Sequence, residues 1–420
     1  MRKKRMLAMV LTLVMILSLA ACGSSGGEEP ADAKETEKKT EAPKEKATEA
    51  PKETETKAPE KEQAAGEDPQ IPDYEYVQPA GETFDIATYY NDLGVECSFK
   101  LRATGGVVNV LDDMTTTLPV PKDKYTIGFS VYFTVDEVGA MMLDSMKAHA
   151  EAAGIELLVN DANYDQDAQN AAIEQWILQD VDGVILAPCD FTGVQGSLDA
   201  LKEAGIPCAT LNPALVSEAD SVVMSECKEQ GVMAGKLLLD HLQENNVEMK
   251  GTIIYQSLPF VHPNAATRAD GFKSVFADYP DVEIVELTGS TPEEHYTAFE
   301  GALLAYPDMI GAFGLYSSAT VGMINAKKAN GSDIPITSID NDKPILQAIY
   351  EGDCLGSACY SAAAPTFYCM SAIINLLNGV DVPSAYFYEN RLVTKDNVEE
   401  MFEHYYDGKT LADYIAGETE

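Results

Sequence analysis

The chain has 420 residues and a formal net charge of −39, because 68 aspartates and glutamates outweigh 29 lysines and arginines. A charge this negative argues against nucleic acid as a partner and against binding to anionic lipid by charge. About 300 residues follow the N-terminal segments described next, enough for two domains of ordinary size.

Residues 1–22 have the pattern of a secretory signal. The basic head "MRKKR" precedes an apolar run that ends at Ala21, directly before Cys22. The run of about 16 residues is short for a helix that spans a ~30 Å hydrocarbon core. Leu19-Ala20-Ala21-Cys22 resembles the bacterial lipobox. That resemblance implies that Cys22 becomes the lipidated N-terminus of a protein held on the outer face of the cell membrane.

Residues 23–72 consist mainly of Glu, Lys, Thr, Ala and Pro, and the hexapeptide "TEAPKE" occurs at 40–45 and again at 48–53. Such a segment buries too little apolar surface to offset the entropy of ordering, so we expect a disordered tether. Residues 73–124 form an N-terminal extension to which the sequence assigns no role.

From Tyr125 onward, short apolar runs alternate with amphipathic runs. The first set predicts strands at 125–133, 155–160, 183–188 and 206–211, with helices at 136–154, 166–181 and 192–204. Trp176 lies in the second of these helices, where we expect it to pack in the core. The unit of about 28 residues is typical of strand–helix–strand repeats that form a parallel sheet.

A second set of the same kind follows the apolar run 221–225. It predicts helices at 228–245, after Arg268, at 292–305 and at 318–330, with strands at 251–256, 282–288, 310–316 and 334–340. The predicted fold class is therefore α/β, with two doubly wound parallel-sheet lobes. Ligands of such sheets bind beyond the carboxyl ends of the strands, so the two lobes would enclose a site between them.

Several short motifs carry a family resemblance: "GVILAP" (183–188), "AGIPCATLN" (204–212), "RADGF" (268–272), "SIDND" (338–342) and "LVTKDNV" (392–398). In this order and spacing, residues 125–398 resemble the ribose-type periplasmic binding proteins, the substrate-binding subunits of sugar ABC transporters. The resemblance implies three crossover strands near residues 225, 361 and 390. It divides the body into lobe 1 (125–225 plus 362–390) and lobe 2 (226–361 plus 391–420), and it does not cover 73–124.

The resemblance also implies a set of ligand-contacting residues. Arg268 and Asp340 match residues of the family, whereas the other positions carry replacements: Asp136, Asn212, Ser290, Tyr316 and Ser361. The chemistry of the first two suits a sugar, because arginine donates hydrogen bonds as a rigid fork and aspartate accepts them on two oxygens. An aromatic wall for a sugar ring would have to come from Tyr132, Phe133, Phe191 or Tyr316.

The ligand class stays open at this point. Val138 and Gly139 stand where the family has paired phenylalanines, so a ribose-like ring is one of several candidates. A smaller polyol, a modified sugar or a furanose would bridge Arg268 and Asp340. A carboxylate-bearing ligand would instead pair with Arg268.

We therefore expect a monomeric, extracytoplasmic solute-binding lipoprotein that closes on a sugar or polyol and delivers it to an ABC transporter permease. No cofactor or metal is expected, because the five histidines and eight cysteines lack ligand spacing, and the cysteines after Cys22 read as buried free thiols. One alternative is a sensor component that presents its ligand to a membrane receptor kinase or chemotaxis system.

A carbohydrate-active enzyme is a second alternative, but the sequence contains no nucleophile elbow, P-loop or zinc-protease motif. Glu293, Glu294 and His295 are adjacent on a predicted helix, so we expect them on its surface rather than at one site. A LacI-type regulator shares the lobes, but the export signal and the missing DNA-binding head exclude it.

Overall fold

A computed structural model describes residues 85–110, 117–134, 137–259, 262–406 and 408–417. The predicted signal, Cys22 and the tether lie outside the described residues, and so does Asp136. Within the described residues, no helix is long and apolar enough to cross a membrane. The seven cysteines after Cys22 all fall in these ranges as free thiols, and every one except the half-buried Cys189 is buried.

The strands, numbered in chain order, are β1 Lys100–Leu101, β2 Val107–Val110, β3 Thr126–Val131, β4 Glu156–Asp161, β5 Gly183–Leu186, β6 Cys208–Leu211, β7 Glu218–Ala219, β8 Ser221–Ser225, β9 Gly251–Ser257, β10 Val282–Thr288, β11 Met309–Gly314, β12 Ile336–Ile339, β13 Gly356–Cys359, β14 Ala385–Tyr388 and β15 Arg391–Thr394.

The helices are α1 Ile86–Asp92, α2 Glu137–Ala153, α3 Gln166–Leu178, α4 Gln195–Ala204, α5 Cys227–Glu244, α6 Pro263–Val275, α7 Pro292–Ala305, α8 Ser317–Asn330, α9 Lys343–Glu351, α10 Ala363–Leu377, α11 Val398–Tyr405 and α12 Leu411–Ala416.

In the described part of the chain, two large sheets define the two lobes. The sheet of lobe 1 has seven parallel strands in the order β2-β14-β8-β6-β5-β3-β4, and the sheet of lobe 2 has six in the order β10-β9-β11-β12-β13-β15. In lobe 2, β15 runs antiparallel to β13. In lobe 1, β3 lies between β4 and β5, and in lobe 2, β9 lies between β10 and β11, so the strand order reverses at β3 and at β9. Open α/β sheets bind ligands beside such a reversal.

Helices cover both faces of each sheet, which is why the central strands are continuous apolar runs, whereas the edge strands β4 and β10 carry exposed residues. In lobe 1, α2 and α10 pack on one face, and α1, α3 and α4 pack on the other. Trp176 on α3 is buried in this core, as predicted, and its ring lies against Gly128 of β3, where a Cβ would approach the indole to 2.5 Å.

The described chain passes between the lobes three times, at Glu226, at 360–362 and at 389–390. The predicted fold class, two doubly wound lobes joined by crossovers, is confirmed. Short crossovers of this kind form a hinge, since few backbone dihedrals have to change when one lobe rotates against the other.

The extension to which the sequence assigned no role forms part of lobe 1. Strand β2 pairs with β14 and adds an edge strand to the sheet, while β1 pairs with β7. Arg102 donates two hydrogen bonds to the carboxylate of Asp220, from Nε at 2.9 Å and from Nη2 at 2.6 Å. Helix α1 buries Ile86 and Tyr90 in the lobe 1 core.

Helix α6 begins earlier than the sequence predicted. The helix was expected to follow Arg268, but it starts at Pro263, which fits the first helical position because its missing N–H is not needed there. The His262 side chain caps it by accepting a hydrogen bond from the Ala265 amide. Arg268 therefore lies in the second turn, away from the unfavourable positive end of the helix dipole.

Two glycines hold α6 against α5 and so fix the position of Arg268. A Cβ on Gly231 of α5 would lie 2.0 Å from the backbone oxygen of Arg268, and a Cβ on Gly271 of α6 would lie 2.1 Å from the backbone oxygen of Lys228. Because both obstacles are backbone atoms, neither can move aside without separating the helices.

We therefore predict that Gly231→Ala lowers the free energy of unfolding by about 2 kcal/mol or more, through forced separation of α5 and α6. Urea unfolding followed by circular dichroism measures the change. Gly301→Ala is the matched control, because Gly301 lies inside α7 and its Cβ would meet nothing within 4 Å. The control should be neutral or stabilising by up to about 1 kcal/mol. Equal stability of the Gly231 variant and wild type would contradict the close approach.

Candidate functional site

Arg268 is buried between the lobes, where the carboxyl ends of the strands meet. Two of its three guanidinium nitrogens donate hydrogen bonds to other groups of the protein. Its Nε donates to Gln230 Oε1 at 2.7 Å, and its Nη1 donates to the Leu315 carbonyl at 2.9 Å. Gln230 comes from α5 and Leu315 directly follows β11. These two contacts hold the guanidinium plane fixed and leave Nη2 directed toward Asp340.

Asp340 directly follows β12 and faces that guanidinium. Its Oδ1 lies 3.6 Å from Arg268 Nη2, which is close enough for an ion pair but too far for a good hydrogen bond. Its Oδ2 accepts a hydrogen bond of 2.9 Å from the Ser317 amide at the start of α8. Burial opposes the charge on Arg268, but the Asp340 carboxylate together with Cys227, Tyr360 and Tyr388 favours it, and the net effect raises the pKa of Arg268.

The backbone at Asp340 is in the left-handed region, with φ +75°. Residues other than glycine rarely adopt this conformation, and they do so mostly at functional sites that the surrounding structure holds in place. Asn212 after β6, with φ +64°, and Tyr164 after β4, with φ +56°, are among the residues that share it. All three lie at the carboxyl ends of strands, where ligands of this fold class bind.

Asn212 of lobe 1 contacts lobe 2 directly. Its Oδ1 accepts a hydrogen bond of 3.1 Å from Nδ2 of Asn264, which is in the first turn of α6. The side-chain oxygen of Asn264 is buried and has no hydrogen-bond partner within the described ranges. The sequence analysis did not select Asn264, although its position one turn before Arg268 places both side chains on one helix face.

Asn341 is a second residue that the sequence analysis missed. It follows Asp340 and is almost fully buried, yet among the described residues neither Nδ2 nor Oδ1 of its side chain has a hydrogen-bond partner. Buried polar groups are rarely left unpaired in folded proteins. Together with Asp340 Oδ1 and Asn264 Oδ1, it gives a set of buried polar atoms available for a polar ligand.

Tyr316 uses its hydroxyl inside lobe 2 rather than in the cleft between the lobes. The hydroxyl donates to the Gly289 carbonyl at 2.8 Å and therefore accepts from Nε2 of His295, 2.5 Å away. His295 was expected on the surface of its helix, but it is fully buried, because it packs beneath Tyr316. What Tyr316 can offer a ligand is thus mainly its ring.

The remaining predicted residues lie at the edges of this region or beyond the described chain. Ser290 follows the loop residue Gly289 and is exposed, and its amide bonds to Glu294. Ser361 is on the second crossover, and its hydroxyl accepts a hydrogen bond from the Ala363 amide at the start of α10. Asp136 falls outside the described residues.

Aromatic rings stand at the ends of β3 and β4 in lobe 1. Tyr164 stacks on Phe133 at a centroid distance of 4.8 Å and on Tyr132 at 5.6 Å. Tyr132 and Phe133 were among the candidates for an aromatic wall, whereas Tyr164 was not. Phe191 instead packs edge-on against His262 of lobe 2, with the ring centroids 4.7 Å apart.

An ion pair also joins the lobes. Glu137, the first residue of α2, accepts from Lys343 Nζ at 2.7 Å and from the Lys343 backbone amide at 2.9 Å. Lys343 begins α9, so the carboxylate of lobe 1 binds at the positive end of a helix of lobe 2. With the Asn212–Asn264 and Phe191–His262 contacts, this pair brings the two lobes together around Arg268.

The arrangement suits binding of a polar molecule between two lobes. No group of three or more His, Cys, Asp and Glu side chains that could hold a metal ion occurs in the described part of the chain. A separate hollow of about 160 Å³ lies between α8 and α9 on lobe 2. None of the predicted site residues lines that hollow, so the cleft is the candidate site.

Comparison with known proteins gives the same result. The sequence profile of the periplasmic binding protein domain matches residues 127–381, more than half of the chain. The chain belongs to the periplasmic binding protein domain family. The resemblance inferred from the sequence motifs is thereby confirmed, and this family is one of binding proteins.

Individual relatives are distant but cover the same region. The chain is 25% identical to the xylitol-binding protein of Mycolicibacterium smegmatis over 266 residues, which are 62% of this chain and 75% of the relative. An ABC transporter solute-binding protein from Mycobacterium smegmatis with bound glycerol is 26% identical, with a TM-score of 0.62, and the match covers 66% of this chain and 96% of that one. The arabinose-binding component from Shewanella sp. ANA-3, bound to L-arabinofuranose, is 25% identical with a TM-score of 0.62 over 70% and 98% of the chains.

Two histidines of this periplasmic binding protein are held neutral. Burial lowers the pKa of His295 to about 4, and burial together with the nearby Arg268 charge lowers the pKa of His262 to about 3. The contacts fix their tautomers: His295 donates from Nε2 to Tyr316, and His262 accepts at Nδ1 from the Ala265 amide. Protonation of either ring would bury an unpaired charge.

We predict that the protein loses stability as pH falls from about 6.5 to about 4. In this window the unfolded chain binds a proton at His295 that the folded chain does not, so unfolding becomes more favourable by at most about 1.4 kcal/mol per pH unit for this residue. Chemical unfolding at several pH values should give a shallower dependence for His295→Gln, whose amide can still donate to Tyr316. His404→Gln, a change at an exposed histidine, is the control. Identical pH dependence in all three proteins would contradict the buried neutral imidazole.

Proposed function

We propose that this periplasmic binding protein captures a neutral, hydroxyl-rich solute, a sugar or polyol, in the cleft and delivers it to an ABC transporter permease. The observation that carries the proposal is the geometry of Arg268 and Asp340. Their facing atoms are 3.6 Å apart, and Asp340 Oδ1 is buried without a hydrogen-bond partner in the described chain.

A hydroxyl group fits between these two atoms. It can accept a hydrogen bond from Arg268 Nη2 and donate one to Asp340 Oδ1 at the same time. Neighbouring hydroxyls of one ligand can reach the other unpaired atoms, Asn264 Oδ1 and the amide of Asn341. Since most of these atoms are acceptors, they require a ligand that donates, and a polyol donates from every carbon that bears a hydroxyl.

The same geometry disfavours a carboxylate ligand, the alternative left open by the sequence. Asp340 already balances the charge of Arg268. A ligand carboxylate bound to the guanidinium would lie beside that buried carboxylate, and two like charges in a poorly solvated site repel strongly.

The compounds named for the relatives agree with this ligand class. They include xylitol, ribose and galactofuranose among the curated relatives. Among solved structures at least 25% identical, the bound molecules are glycerol, L-arabinofuranose and myo-inositol. All are neutral polyhydroxy compounds of three to six carbons. We extend to this chain only the class, not a particular member of it.

Binding is coupled to hinge closure. Ligand held by Arg268 and Asp340 of lobe 2 is contacted by Asn212 and the strand-end aromatic rings of lobe 1, and the added contacts favour the closed arrangement. The Glu137–Lys343 ion pair joins the lobes directly and adds to closure. In this proposal Asp136 and Ser361 contribute further hydrogen bonds, Tyr316 contributes its ring and Ser290 lies at the rim.

The protein works at the outer face of the cell membrane as a monomeric lipoprotein. The signal 1–22 directs export, Cys22 carries the lipid, and the tether 23–72 holds the folded body away from the bilayer. The body comprises lobe 1, residues 125–225 plus 362–390 with the described part of the extension joined to it, and lobe 2, residues 226–361 plus 391–420. Export, anchoring and these boundaries are supported by the sequence patterns and by the division of the strands between the two sheets.

A paired ligand panel tests the proposed solute class. Xylitol, glycerol, myo-inositol, D-ribose and L-arabinose are compared with acidic counterparts such as xylonate and ribonate in thermal-shift measurements, followed by calorimetry. A neutral compound should raise the melting temperature, and its acidic counterpart should not. Binding of the acids alone would refute the assignment of a neutral solute.

We predict that Arg268→Ala weakens binding of the panel compound that gives the largest thermal shift. The loss should be about 1.5–3 kcal/mol, because the variant lacks a charge-assisted hydrogen bond in the cleft. Calorimetric titration gives the affinity, and circular dichroism verifies that the variant is folded. Lys328→Ala is the control: it removes a cation of lobe 2 that pairs with Glu351 and Asp353 on α9 and the turn after it. An unchanged affinity in the folded Arg268 variant would show that this residue does not contact the solute.

We also predict that Cys22→Ser abolishes lipid attachment. An alkyne-tagged palmitate fed to the producing cells should label the wild-type protein and not the variant, and the variant should be released from the membrane fraction. Cys189→Ser, which changes a half-buried cysteine of the folded body, should be labelled like wild type. Labelling that persists in the Cys22 variant would rule out the proposed anchor.

A further inference from the structure

Helix α1 reaches the first crossover between the lobes, although it lies outside the region that matches the family. The matched region begins at residue 127, and α1 covers Ile86–Asp92. The Tyr89 hydroxyl donates a hydrogen bond of 2.7 Å to Oε1 of Glu226. Glu226 is the residue at which the chain leaves β8 of lobe 1 for α5 of lobe 2. The extension thus holds the hinge by a side chain.

The extension is anchored firmly on lobe 1. Its backbone amides at Ser98, Lys100 and Arg102 donate to carbonyls of 215–219, at 2.7, 3.0 and 2.9 Å respectively. The Arg102–Asp220 pair and the β2–β14 pairing add to these bonds. Because its base is fixed in this way, α1 presents Tyr89 to the crossover as part of lobe 1.

From the backbone carbonyl of Glu226, whose carboxylate Tyr89 contacts, a set of hydrogen bonds leads to the guanidinium of Arg268. The Glu226 carbonyl accepts from Asn390 Nδ2 at 3.1 Å, and Asn390 Oδ1 accepts from Gln230 Nε2 at 2.8 Å. Gln230 Oε1 then accepts from Arg268 Nε at 2.7 Å. Asn390 lies on the third crossover, so the bonds join two of the crossovers to each other and to Arg268.

We propose that Tyr89 is a positioning residue that, through Glu226, Asn390 and Gln230, orients Arg268 and limits the motion of the hinge. The role of Tyr89 in solute affinity rests on the proposed function, whereas its role in hinge motion does not. The extension is then a regulator of lobe closure that precedes the region matching the family.

The physical basis is the burial of Glu226. Its side chain is 2% exposed, and Oε1 accepts from the Lys228 amide at 3.0 Å as well as from Tyr89. Removing the phenol hydroxyl takes a hydrogen bond from a buried carboxylate, which then repacks or draws in water. Either response frees the backbone at the crossover. The Tyr89 ring packs edge-on against the fully buried ring of Tyr90, with the centroids 5.1 Å apart, so it remains supported after the hydroxyl is lost.

The first measurement needs no ligand. Spin labels are attached at Leu178→Cys on lobe 1 and Leu304→Cys on lobe 2, positions that are 85% and 82% exposed. Cys22→Ser and Cys189→Ser remove other reactive thiols from the full chain. Double electron–electron resonance should give a broader distribution of interlobe distances, with a longer mean distance, in unliganded Tyr89→Phe than in wild type. Tyr125→Phe, whose hydroxyl bonds to the end of α10 in lobe 1, should match wild type.

The second measurement asks whether Tyr89 acts through Arg268. Calorimetric titrations use the panel compound that gives the largest thermal shift. Tyr89→Phe should weaken its binding roughly three- to tenfold, the effect of one lost hydrogen bond to a buried charge. In an Arg268→Lys background, which lacks the Nε bond to Gln230, Tyr89→Phe should change affinity by less than about twofold.

Each outcome bears on one claim. A distance distribution in Tyr89→Phe equal to that of wild type would overturn the hinge role, whether or not any panel compound binds. If Tyr89→Phe lowers the affinity by the same factor in the wild-type and the Arg268→Lys backgrounds, the route through Gln230 is overturned. If Arg268→Ala binds the panel compound as wild type does, the proposed binding site fails, yet the unliganded distances still decide the role of Tyr89 at the hinge.

Discussion

The structure depends on one buried guanidinium. Arg268 is removed from water, so its charge and its N–H groups have to be matched by the protein. Gln230, the Leu315 carbonyl and Asp340 supply that match from three different elements. The close contact of α5 and α6 at Gly231 and Gly271 brings these elements within reach. This packing holds the guanidinium in one orientation at the strand ends, with Nη2 toward Asp340.

The match is incomplete in a way that serves binding. Two of the guanidinium nitrogens have good protein acceptors, while the third faces a carboxylate oxygen across 3.6 Å. If Arg268 Nη2 and Asp340 Oδ1 were hydrogen-bonded to each other, neither would be available to a ligand. If the two charges were unpaired, their burial would destabilise the closed form. The side-chain oxygen of Asn264, which contacts Asn212 of lobe 1, and both side-chain polar atoms of Asn341 are likewise buried without a hydrogen-bond partner in the described chain. Left-handed backbone at Asn212 and Asp340 marks the same strand ends.

The N-terminal extension enlarges lobe 1 and contacts the hinge between the two lobes. In lobe 1 it lengthens the sheet by an edge strand and covers part of the core with α1. Through Tyr89 it also contacts the first crossover, where small dihedral changes produce the largest interlobe displacement. Residues outside the region that matches the family thus contact the hinge directly. Lobe closure then depends on the extension as well as on the two lobes.

The sequence by itself determined the fold class, the two sets of strands and the core position of Trp176, since these follow from local periodicity. Its short motifs also selected Arg268 and Asp340 through their resemblance to a known family. Only the tertiary structure decided that α6 begins at Pro263, that His295 is buried, that Tyr316 turns its hydroxyl inward and that the extension joins lobe 1. Apart from the start of α6, which Pro263 and the His262 cap set locally, each of these depends on a partner distant in sequence: Tyr316 is 21 residues from His295, and Tyr89 is 137 residues from Glu226. Contacts of that range leave no local pattern, because burial and hydrogen bonding are settled by which elements pack together.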